Sequence, residues 1–369
     1  MKILGIIDNQ FYLSGVNAYW SSMIKASESM GHQVHTMVLD DGTFSWNGNY
    51  LEQLTGMVHR IRIRPVPGND LAKNLFTEIG PDIVIHHYSD PGMDLSQKAK
   101  HCIPGTSWKE VYVCHSDDPD HYNRIQRRRH EIDHVICVSE TCMEHVRDTL
   151  GFIPADTSLI QYFFLPQEKT NDFKTIGTSH REPLRSASIL YAGRLESYQK
   201  RAGDLATFAQ ALETRRIPYY LHIAGSGSLE DELHAQLNNI APDGKVIFHG
   251  YLDEKRLFDL MRETNIYVSF SEFEGISTSL IQSMSFGLIP LITPTNSGSD
   301  FLTHRQDALF FDVGDLDRAA EMIQNLIESD SLYFDLQKKG RETLQIHFSP
   351  ENSQAQLSAF FNKIGSHRK

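Results

Sequence analysis

The sequence predicts an α/β protein made of two doubly wound domains, each with a central parallel sheet. Short β-branched runs alternate with amphipathic stretches through the 369 residues, as βαβ units require. A polar stretch over 167–185 lacks both helical and strand periodicity, and the alternation restarts after it. We therefore expect a first domain over 1–166, a linker over 167–185, a second domain over 186–348, and a C-terminal helix over 349–369 that packs back on the first domain.

The predicted strands are short apolar runs typical of buried parallel strands. In the first domain they are Lys2–Ile7, Gln33–Leu39, Asp82–His86, Glu110–Cys114 and His134–Val138. In the second domain they are Ser188–Ala192, Tyr219–Ala224, Val246–Phe248, Ile266–Ser269 and Ile289–Thr293. Ligands of such sheets bind at the carboxyl ends of the strands, so we expect the two domains to face each other across a cleft that holds the substrate.

Composition excludes some classes of function. The formal charge of −12 and the pI near 5.8 argue against nucleic acid as a partner, because nucleic-acid-binding domains carry a basic excess. The apolar run after Met1 and Lys2 is too short for a signal-peptide core. The cysteines lack the paired spacing of secreted proteins, so we expect reduced thiols and a cytoplasmic protein; they are Cys102, Cys114, Cys137 and Cys142.

Two cations follow the first strand of the second domain. Arg194 lies directly after the strand and its glycine, and Lys200 lies six residues later, so both can project from one strand-to-helix loop. An arginine fork and a lysine point charge suit a diphosphate and would stabilise the negative charge of a departing nucleotide. A solvated surface pair is the alternative for this motif taken alone.

A second loop combines a carboxylate, a glycine and the start of a helix. Glu274 and Gly275 follow the strand Ile266–Ser269 and precede the helical stretch Ser279–Ser285. Free backbone N–H groups at a helix start attract phosphate or sugar oxygens, while Glu274 can accept hydrogen bonds from sugar hydroxyls. The alternative is an acidic surface loop with a serine or threonine cap.

These features together resemble glycosyltransferase family four, the retaining enzymes of GT-B fold, over nearly the whole chain. The family motif places one glutamate before a glycine and a second glutamate eight positions later; Glu274 matches the first, and Gln282 replaces the second. Further matches are the glycine loop Ser14-Gly15-Val16, the strand Val111–His115 that ends in a histidine, and the loop Phe248–Leu252.

The resemblance implies a role for each matching residue. The catalytic group it implies comprises His115, Arg194, Lys200 and Glu274. The donor-binding group comprises Gly15, Tyr251, Gly275, Ile276, Ser277, Thr278, Ser279 and Gln282. In this scheme the cations hold the diphosphate, Glu274 and the following amides hold the sugar beside His115, and Gln282 binds the ribose without the charge of a carboxylate.

The implied reaction transfers a hexose-type sugar from a nucleotide diphosphate donor, with a UDP-sugar favoured, to a saccharide acceptor. Retention at the anomeric carbon is expected, with the leaving phosphate as the base and with neither a metal nor a cofactor. A bacterial surface polysaccharide or lipopolysaccharide is the expected product class. Two alternatives remain open: a nucleotide-sugar epimerase, and a non-catalytic partner subunit that binds nucleotide sugar, which the replacement at Gln282 motivates.

Three further patterns have simpler interpretations. His130 and His134 have the spacing of a zinc-protease motif but straddle a helix end and a strand, so we interpret the match as chance. Asp118-Pro119-Asp120 is expected to be a capped helix start rather than a metal site. The glycines of Ala224–Ser228 are expected to form an ordinary strand-to-helix turn, because a third fingerprint glycine is missing.

A basic cluster stands out on this acidic chain. It comprises Arg124, Arg127, Arg128 and Arg129. Such a cluster suits anionic lipid, which would make the protein peripheral on the inner face of the membrane, or a phosphorylated acceptor. A solvated helix face is the alternative.

Overall fold

The fold is described from a computed structural model that covers residues 1–8, 15–40, 57–62, 69–161, 183–242 and 244–366. The chain forms two compact units. The first combines Met1–Phe164 with Phe348–Lys369, and the second is Leu165–His347. Most of the expected linker, residues 167–182, and Ser14 lie outside the described residues.

The first unit contains a seven-stranded parallel sheet in the order β3-β2-β1-β4-β5-β6-β7. Its strands are β1 Lys2–Asp8, β2 Gln33–Asp40, β3 Met57–Arg62, β4 Ile83–His87, β5 Lys109–Cys114, β6 His134–Cys137 and β7 Thr157–Leu159. The sequence predicted five of them to within about a residue and did not predict β3 or β7. All five residues of β4 are buried, because helices cover both faces of such a sheet.

The helices of the first unit begin at side-chain caps where the sequence provides them. They are α1 Gly15–Ser29, α2 Asn69–Ile79, α3 Asp90–Cys102, α4 Pro119–Arg127 and α5 Glu140–Asp148. Ser89 caps α3 by accepting the Gly92 amide at 2.9 Å. Asp118 caps α4 by accepting the Asp120 amide at 2.9 Å, with Pro119 in the first turn, so the predicted capped helix start is confirmed.

The last described helix, α13 Pro350–Ser366, packs on the first unit. Lys363 Nζ donates to the carbonyls of Pro154 and Thr157 at 3.1 and 2.8 Å. Gln356 Oε1 accepts the amide of Gln161 at 2.8 Å. These bonds join α13 to the segment around β7, so residues far apart in the sequence complete one unit.

The second unit contains a six-stranded parallel sheet in the order β10-β9-β8-β11-β12-β13. Its strands are β8 Ala187–Ala192, β9 Tyr219–Ala224, β10 Val246–Gly250, β11 Ile266–Ser269, β12 Ile289–Ile292 and β13 Leu309–Phe310. Its helices are α6 Asp204–Thr214, α7 Glu230–Ile240, α8 Glu254–Glu263, α9 Thr278–Ser285, α10 Asn296–Ser299, α11 Leu316–Glu328 and α12 Asp330–His347. One core cluster that includes Ile189, Phe208 and Phe270 lies between these layers.

Each sheet has a point where the strand order reverses. In the first unit β1 and β4 are neighbours, and in the second unit β8 and β11 are neighbours. The connections after the two neighbouring strands leave in opposite directions, which opens a crevice at the carboxyl ends of those strands. The predicted catalytic residues follow strands at or beside these two positions.

Candidate active site

The loops that follow β8 and β11 contact each other in the second unit. The amide of Glu272 donates to the carbonyl of Gln199 at 2.9 Å. This bond brings together the segment of Arg194 and Lys200 with the segment of Glu274, as expected for loops at the carboxyl ends of adjacent strands.

Lys200 and Glu274 form an ion pair between Nζ and Oε1. Their side chains are only 18% and 10% exposed, so little water screens the pair. Burial alone would lower the pKa of Lys200, but the Glu274 carboxylate outweighs it and raises that pKa above its ordinary value. Lys200 therefore remains a cation, and Glu274 holds it at the loop junction.

Arg194 lies at the outer side of this pair. Its side chain is 64% exposed and contacts Glu196 Oε1 at 3.0 Å. The same nitrogen, Nη2, donates to Gln199 Oε1 at 2.7 Å, and Nη1 donates to Glu196 Oε2 at 3.1 Å. Within the described part of the chain these contacts leave some of the five N–H donors of the exposed guanidinium unused, and two neighbours hold the group in place, as suits an anion-binding group.

Gln199, which was not among the predicted site residues, connects the three that were. While its Oε1 accepts from Arg194, its Nε2 donates to Glu274 Oε2 at 3.3 Å and to the Phe273 carbonyl at 3.1 Å. The one available signal was its position next to Lys200 within a loop already predicted to bind phosphate. Arg194, Gln199, Lys200 and Glu274 thus form one polar network.

The start of α9 supplies further polar groups beside this network. Ser277 is the N-cap and accepts the Leu280 amide at 3.4 Å. Tyr267 on β11 contacts Ser279 Oγ at 2.9 Å and Ser277 Oγ at 3.5 Å. The first N–H groups of a helix have no intrahelical acceptors, so Thr278 and Ser279 open an anion-binding end.

Gly275 and Ile276 connect Glu274 to that helix start. Gly275 is buried, and Ile276 is half-buried. Gln282 lies one turn into α9 and is 8% exposed. Gln282 lies four positions after Thr278 and three after Ser279, so the three side chains share one face of the helix. Gln282 thus continues the row of polar groups that begins at the cap.

Tyr251 follows β10, two strands away from β8 in the sheet order, and is 57% exposed. The preceding Gly250 has φ of 62°, and its carbonyl accepts the Gly225 amide at 2.8 Å. The structure thus places Tyr251 at the carboxyl edge of the same sheet, on the side of β9 and β10.

The glycine turn after β9 supports the Arg194 loop. Gly225 has φ of 151°, and a Cβ there would clash with the Gly193 carbonyl; a Cβ on Gly227 would clash with the Leu195 backbone. The amides of Gly193 and Leu195 donate to Ala224 and Ser226 carbonyls at 3.0 Å. These glycines are needed for close packing of two backbones, which accounts for the turn without a dinucleotide.

His115 and Gly15 belong to the first unit. His115 directly follows β5, and its Nε2 lies 3.0 Å from Nδ1 of His87, the last residue of β4. Burial lowers the pKa of His115 to about 3, so the ring is neutral at physiological pH. Gly15 is the first residue of α1 and is exposed, and one turn later Tyr19 contacts the His115 ring edge-on at 5.1 Å.

The sequence predicts no role for His87, because the predicted strand Asp82–His86 ends one residue before it. It is fully buried. Its position at the reversal point of the sheet is the signal that could have identified it.

The basic cluster lies at the end of α4, and carboxylates pair with two of its four arginines. Arg124 pairs with Asp90 at 3.0 Å, and Arg128 pairs with Asp94 at 2.6 Å and with Glu131 at 2.9 Å. Arg129 lies over the Phe152 ring at 3.6 Å, and Arg127 is exposed; these remain the two cluster members without a carboxylate contact among the described residues.

His130 and His134 do not share a helix face. The His130 side chain is 78% exposed, whereas His134 opens β6 and bonds through Nε2 to Ser158 Oγ at 2.9 Å. Across the described ranges no group of three or more His, Cys, Asp or Glu side chains is arranged to hold a metal ion. Within the same ranges no helix has the length and apolar character to span a bilayer.

Comparisons with known families match both units. The model described as "Glycosyl transferases group 1" matches residues 172–343, and the model described as "Glycosyltransferase Family 4" matches residues 13–162. The candidate network lies within the first match, and His87 and His115 lie within the second.

Individual proteins are similar over shorter or longer spans. The lipopolysaccharide core biosynthesis glycosyltransferase LpsE of Rhizobium meliloti is 29% identical over 138 residues, which are 37% of this chain and 40% of LpsE. The chain thus spans about two-fifths of the length of that relative.

Among solved structures, the apo lipopolysaccharide outer core galactosyltransferase WaaB matches with a TM-score of 0.72 at 18% identity, covering 100% of both chains. Anabaena HepE in complex with UDP-glucose matches with a TM-score of 0.74 at 15% identity, covering 98% of this chain and 99% of HepE. These similarities show that the chain has the GT-B fold.

Proposed function

The chain belongs to glycosyltransferase family 4, and on that premise we propose that it transfers a hexose-type sugar from a nucleotide diphosphate donor to a saccharide acceptor. The observation that carries the proposal is the network of Arg194, Gln199, Lys200 and Glu274 beside the start of α9. It combines two cations and free helix amides for the diphosphate with a carboxylate for the sugar hydroxyls.

Each residue has a stated role in this reaction. Arg194 and Lys200 stabilise the negative charge that develops on the leaving diphosphate, and the start of α9 binds its oxygens. When donor binds, Lys200 turns from Glu274 to phosphate and releases the carboxylate to orient the sugar. Because the cations already neutralise the leaving group, we propose a reaction that needs no metal and no cofactor.

We propose retention at the anomeric carbon. The acceptor hydroxyl attacks on the face from which the diphosphate leaves; a C–O bond to the acceptor forms, the C–O bond to phosphate breaks, and the hydroxyl proton passes to the departing phosphate. No protein nucleophile enters this scheme. His115, Gly15 and Tyr251 are proposed to contact the donor sugar, the diphosphate and the base, respectively.

A UDP-sugar donor and a bacterial surface saccharide acceptor complete the proposal. HepE is known in complex with UDP-glucose, and LpsE and WaaB are named for lipopolysaccharide core synthesis. We propose a cytoplasmic location, consistent with four free cysteines among the described residues. Membrane contact through the arginine cluster depends mainly on Arg127 and Arg129, because carboxylates pair with the other two arginines.

The test measures nucleotide diphosphate release from UDP-, GDP- and ADP-sugars, with and without pooled saccharide acceptors. We expect release with one donor, dependent on acceptor, undiminished by EDTA and reduced about 100-fold or more by Arg194→Ala. Arg215→Ala is the matched control, because Arg215 pairs with Asp317 elsewhere in the second unit. NMR of the product's anomeric proton reports retention.

The same experiment separates the alternatives. Conversion of the donor sugar without acceptor would indicate an epimerase. Donor binding without any turnover across the panel would overturn the transferase proposal in favour of a non-catalytic partner subunit. Undiminished turnover by Arg194→Ala would remove the proposed role of that residue.

A further inference from the structure

His87 and His115 form a hydrogen-bonded pair of imidazoles in the first unit. His87 Nδ1 and His115 Nε2 are 3.0 Å apart. Aromatic neighbours fix both rings: Trp20 lies 4.8 Å from the His87 ring, and Tyr19 lies 5.1 Å from the His115 ring. Trp20 is itself anchored by a 2.8 Å bond from its indole Nε1 to Thr36.

Both rings are neutral at physiological pH. Burial lowers the pKa of His115 to about 3, and burial together with the neighbouring histidines lowers the pKa of His87 well below its usual range. A neutral imidazole carries one N–H and one lone pair. One histidine of the pair must therefore donate and the other accept. The histidine that accepts carries its own proton on the ring nitrogen outside the pair.

The surroundings of His87 favour one arrangement. Its Nε2 is buried without a hydrogen bond partner in the described part of the chain. If His115 donated, His87 would need its own proton on Nε2, which would bury an unpaired N–H. If His87 donates through Nδ1, only a lone pair is left unpaired at Nε2, and buried unpaired acceptors are tolerated more often than buried unpaired donors.

His115 is the more accessible of the two histidines. His87 is fully buried, whereas His115 is only partly buried and its Nδ1 makes no hydrogen bond within the described ranges. With its Nε2 accepting from His87, His115 carries its proton on Nδ1. The pair then presents an N–H group at the carboxyl edge of the sheet.

We propose that His87 is a positioning residue that donates its Nδ1–H to His115 Nε2 and thereby fixes His115 as the Nδ1–H tautomer, which donates to a hydroxyl of the transferred sugar. The link to sugar rests on the proposed function. The tautomer itself depends only on the geometry of the pair.

Substitutions at His87 distinguish the effect of its Nδ1–H donor from the effect of its side-chain volume. The Nδ2 amide of asparagine occupies nearly the place of histidine Nδ1, so His87→Asn keeps a donor and is expected to stay within about threefold of wild-type kcat. His87→Asp offers only acceptors and favours the other tautomer, and His87→Leu offers neither; we expect both to lower kcat about 10- to 100-fold with a smaller change in donor KM.

His35→Asn is the matched control. His35 and His59 form a second histidine pair with the same Nδ1 to Nε2 distance of 3.0 Å, on β2 and β3 of the same unit. Neither residue belongs to the proposed site, so kcat should be unchanged. Thermal unfolding of each variant shows whether a loss of activity reflects loss of fold.

Imidazole ¹⁵N–¹H spectra of wild-type protein test the tautomer without any turnover, with His115→Gln used to assign the signals. We expect the Nδ1–H form of His115 in wild type and the Nε2–H form in His87→Asp. An Nε2–H form in wild type would overturn the proposal, as would a folded His87→Asn as impaired as His87→Leu. Absence of transfer in wild type would instead overturn the proposed function and leave the spectra to decide the tautomer.

Discussion

Lys200 and Glu274 lie 74 positions apart in the chain and form a buried ion pair at the carboxyl edge of the second sheet. Removing one partner of such a pair leaves an uncompensated charge, which costs about 3–5 kcal/mol. The pair therefore affects both stability and the proposed reaction, and the two effects can be measured separately.

Lys200→Met is expected to lower the free energy of unfolding by about 3 kcal/mol, because Glu274 loses its cation. The double variant Lys200→Met/Glu274→Gln should recover most of that loss but no sugar transfer. Urea denaturation and nucleotide release measure the two quantities, and Lys338→Met, at a 71% exposed position, is the control. Recovery of activity in the double variant would show that the pair only stabilises the fold.

Gln199→Met is expected to reduce kcat/KM about tenfold while the protein stays folded, because the side chain keeps its length but loses its bonds to Arg194 and Glu274. Gln199→Glu should be more impaired, since a carboxylate would repel Glu274. Gln210→Met, at an exposed position of α6, is the matched control for steady-state kinetics. Equal activity of wild type and Gln199→Met would show that the network is not needed in the reaction.

Gln282→Glu tests the departure from the family motif. If Gln282 binds the ribose, a carboxylate should lower the dissociation constant for the nucleoside diphosphate several-fold, because charged acceptors form stronger hydrogen bonds. Gln282→Ala should raise it. Calorimetric titration with UDP, GDP and ADP measures both changes. Weaker binding by Gln282→Glu than by wild type would mean that this buried position is adapted to a neutral side chain.

Acidification is expected to destabilise the first unit. Burial lowers the pKa of His87, His115 and His121 below the value of about 6.5 that they have when unfolded. The folded state therefore binds fewer protons below pH 6.5, and stability falls as the pH falls, by up to about 1.4 kcal/mol per pH unit for each histidine.

Thermal unfolding between pH 7.5 and 5.5 measures this slope. His121→Asn should flatten it, and His130→Asn, at a 78% exposed position, should not. A melting temperature that does not change with pH would contradict the linkage.

The fold was predictable because its strands are continuous apolar runs between turn residues. The strands and the polar residues that the sequence did not predict are those whose formation or role depends on tertiary contacts. The short β13 has only two residues, and only one of the six residues of β3 is buried, so neither gives a buried-strand pattern. Recognition of the family motif supplied most of the candidate site residues. Gln199 and His87 act through partners that the sheet register brings beside them, and no local pattern encodes such a contact.

Because α13 belongs to the first unit but is translated last, the unit that is begun first is not the first to be completed. All of the second unit, Leu165–His347, is translated before α13, which supplies contacts to β7 and its surroundings in the first unit. During translation the second unit can therefore complete its core while the first, although begun earlier, still lacks its last helix. Until then His32 and His134, which contact the rings of Phe361 and Phe360 in the complete fold, lack these partners and remain open to solvent and to chaperones.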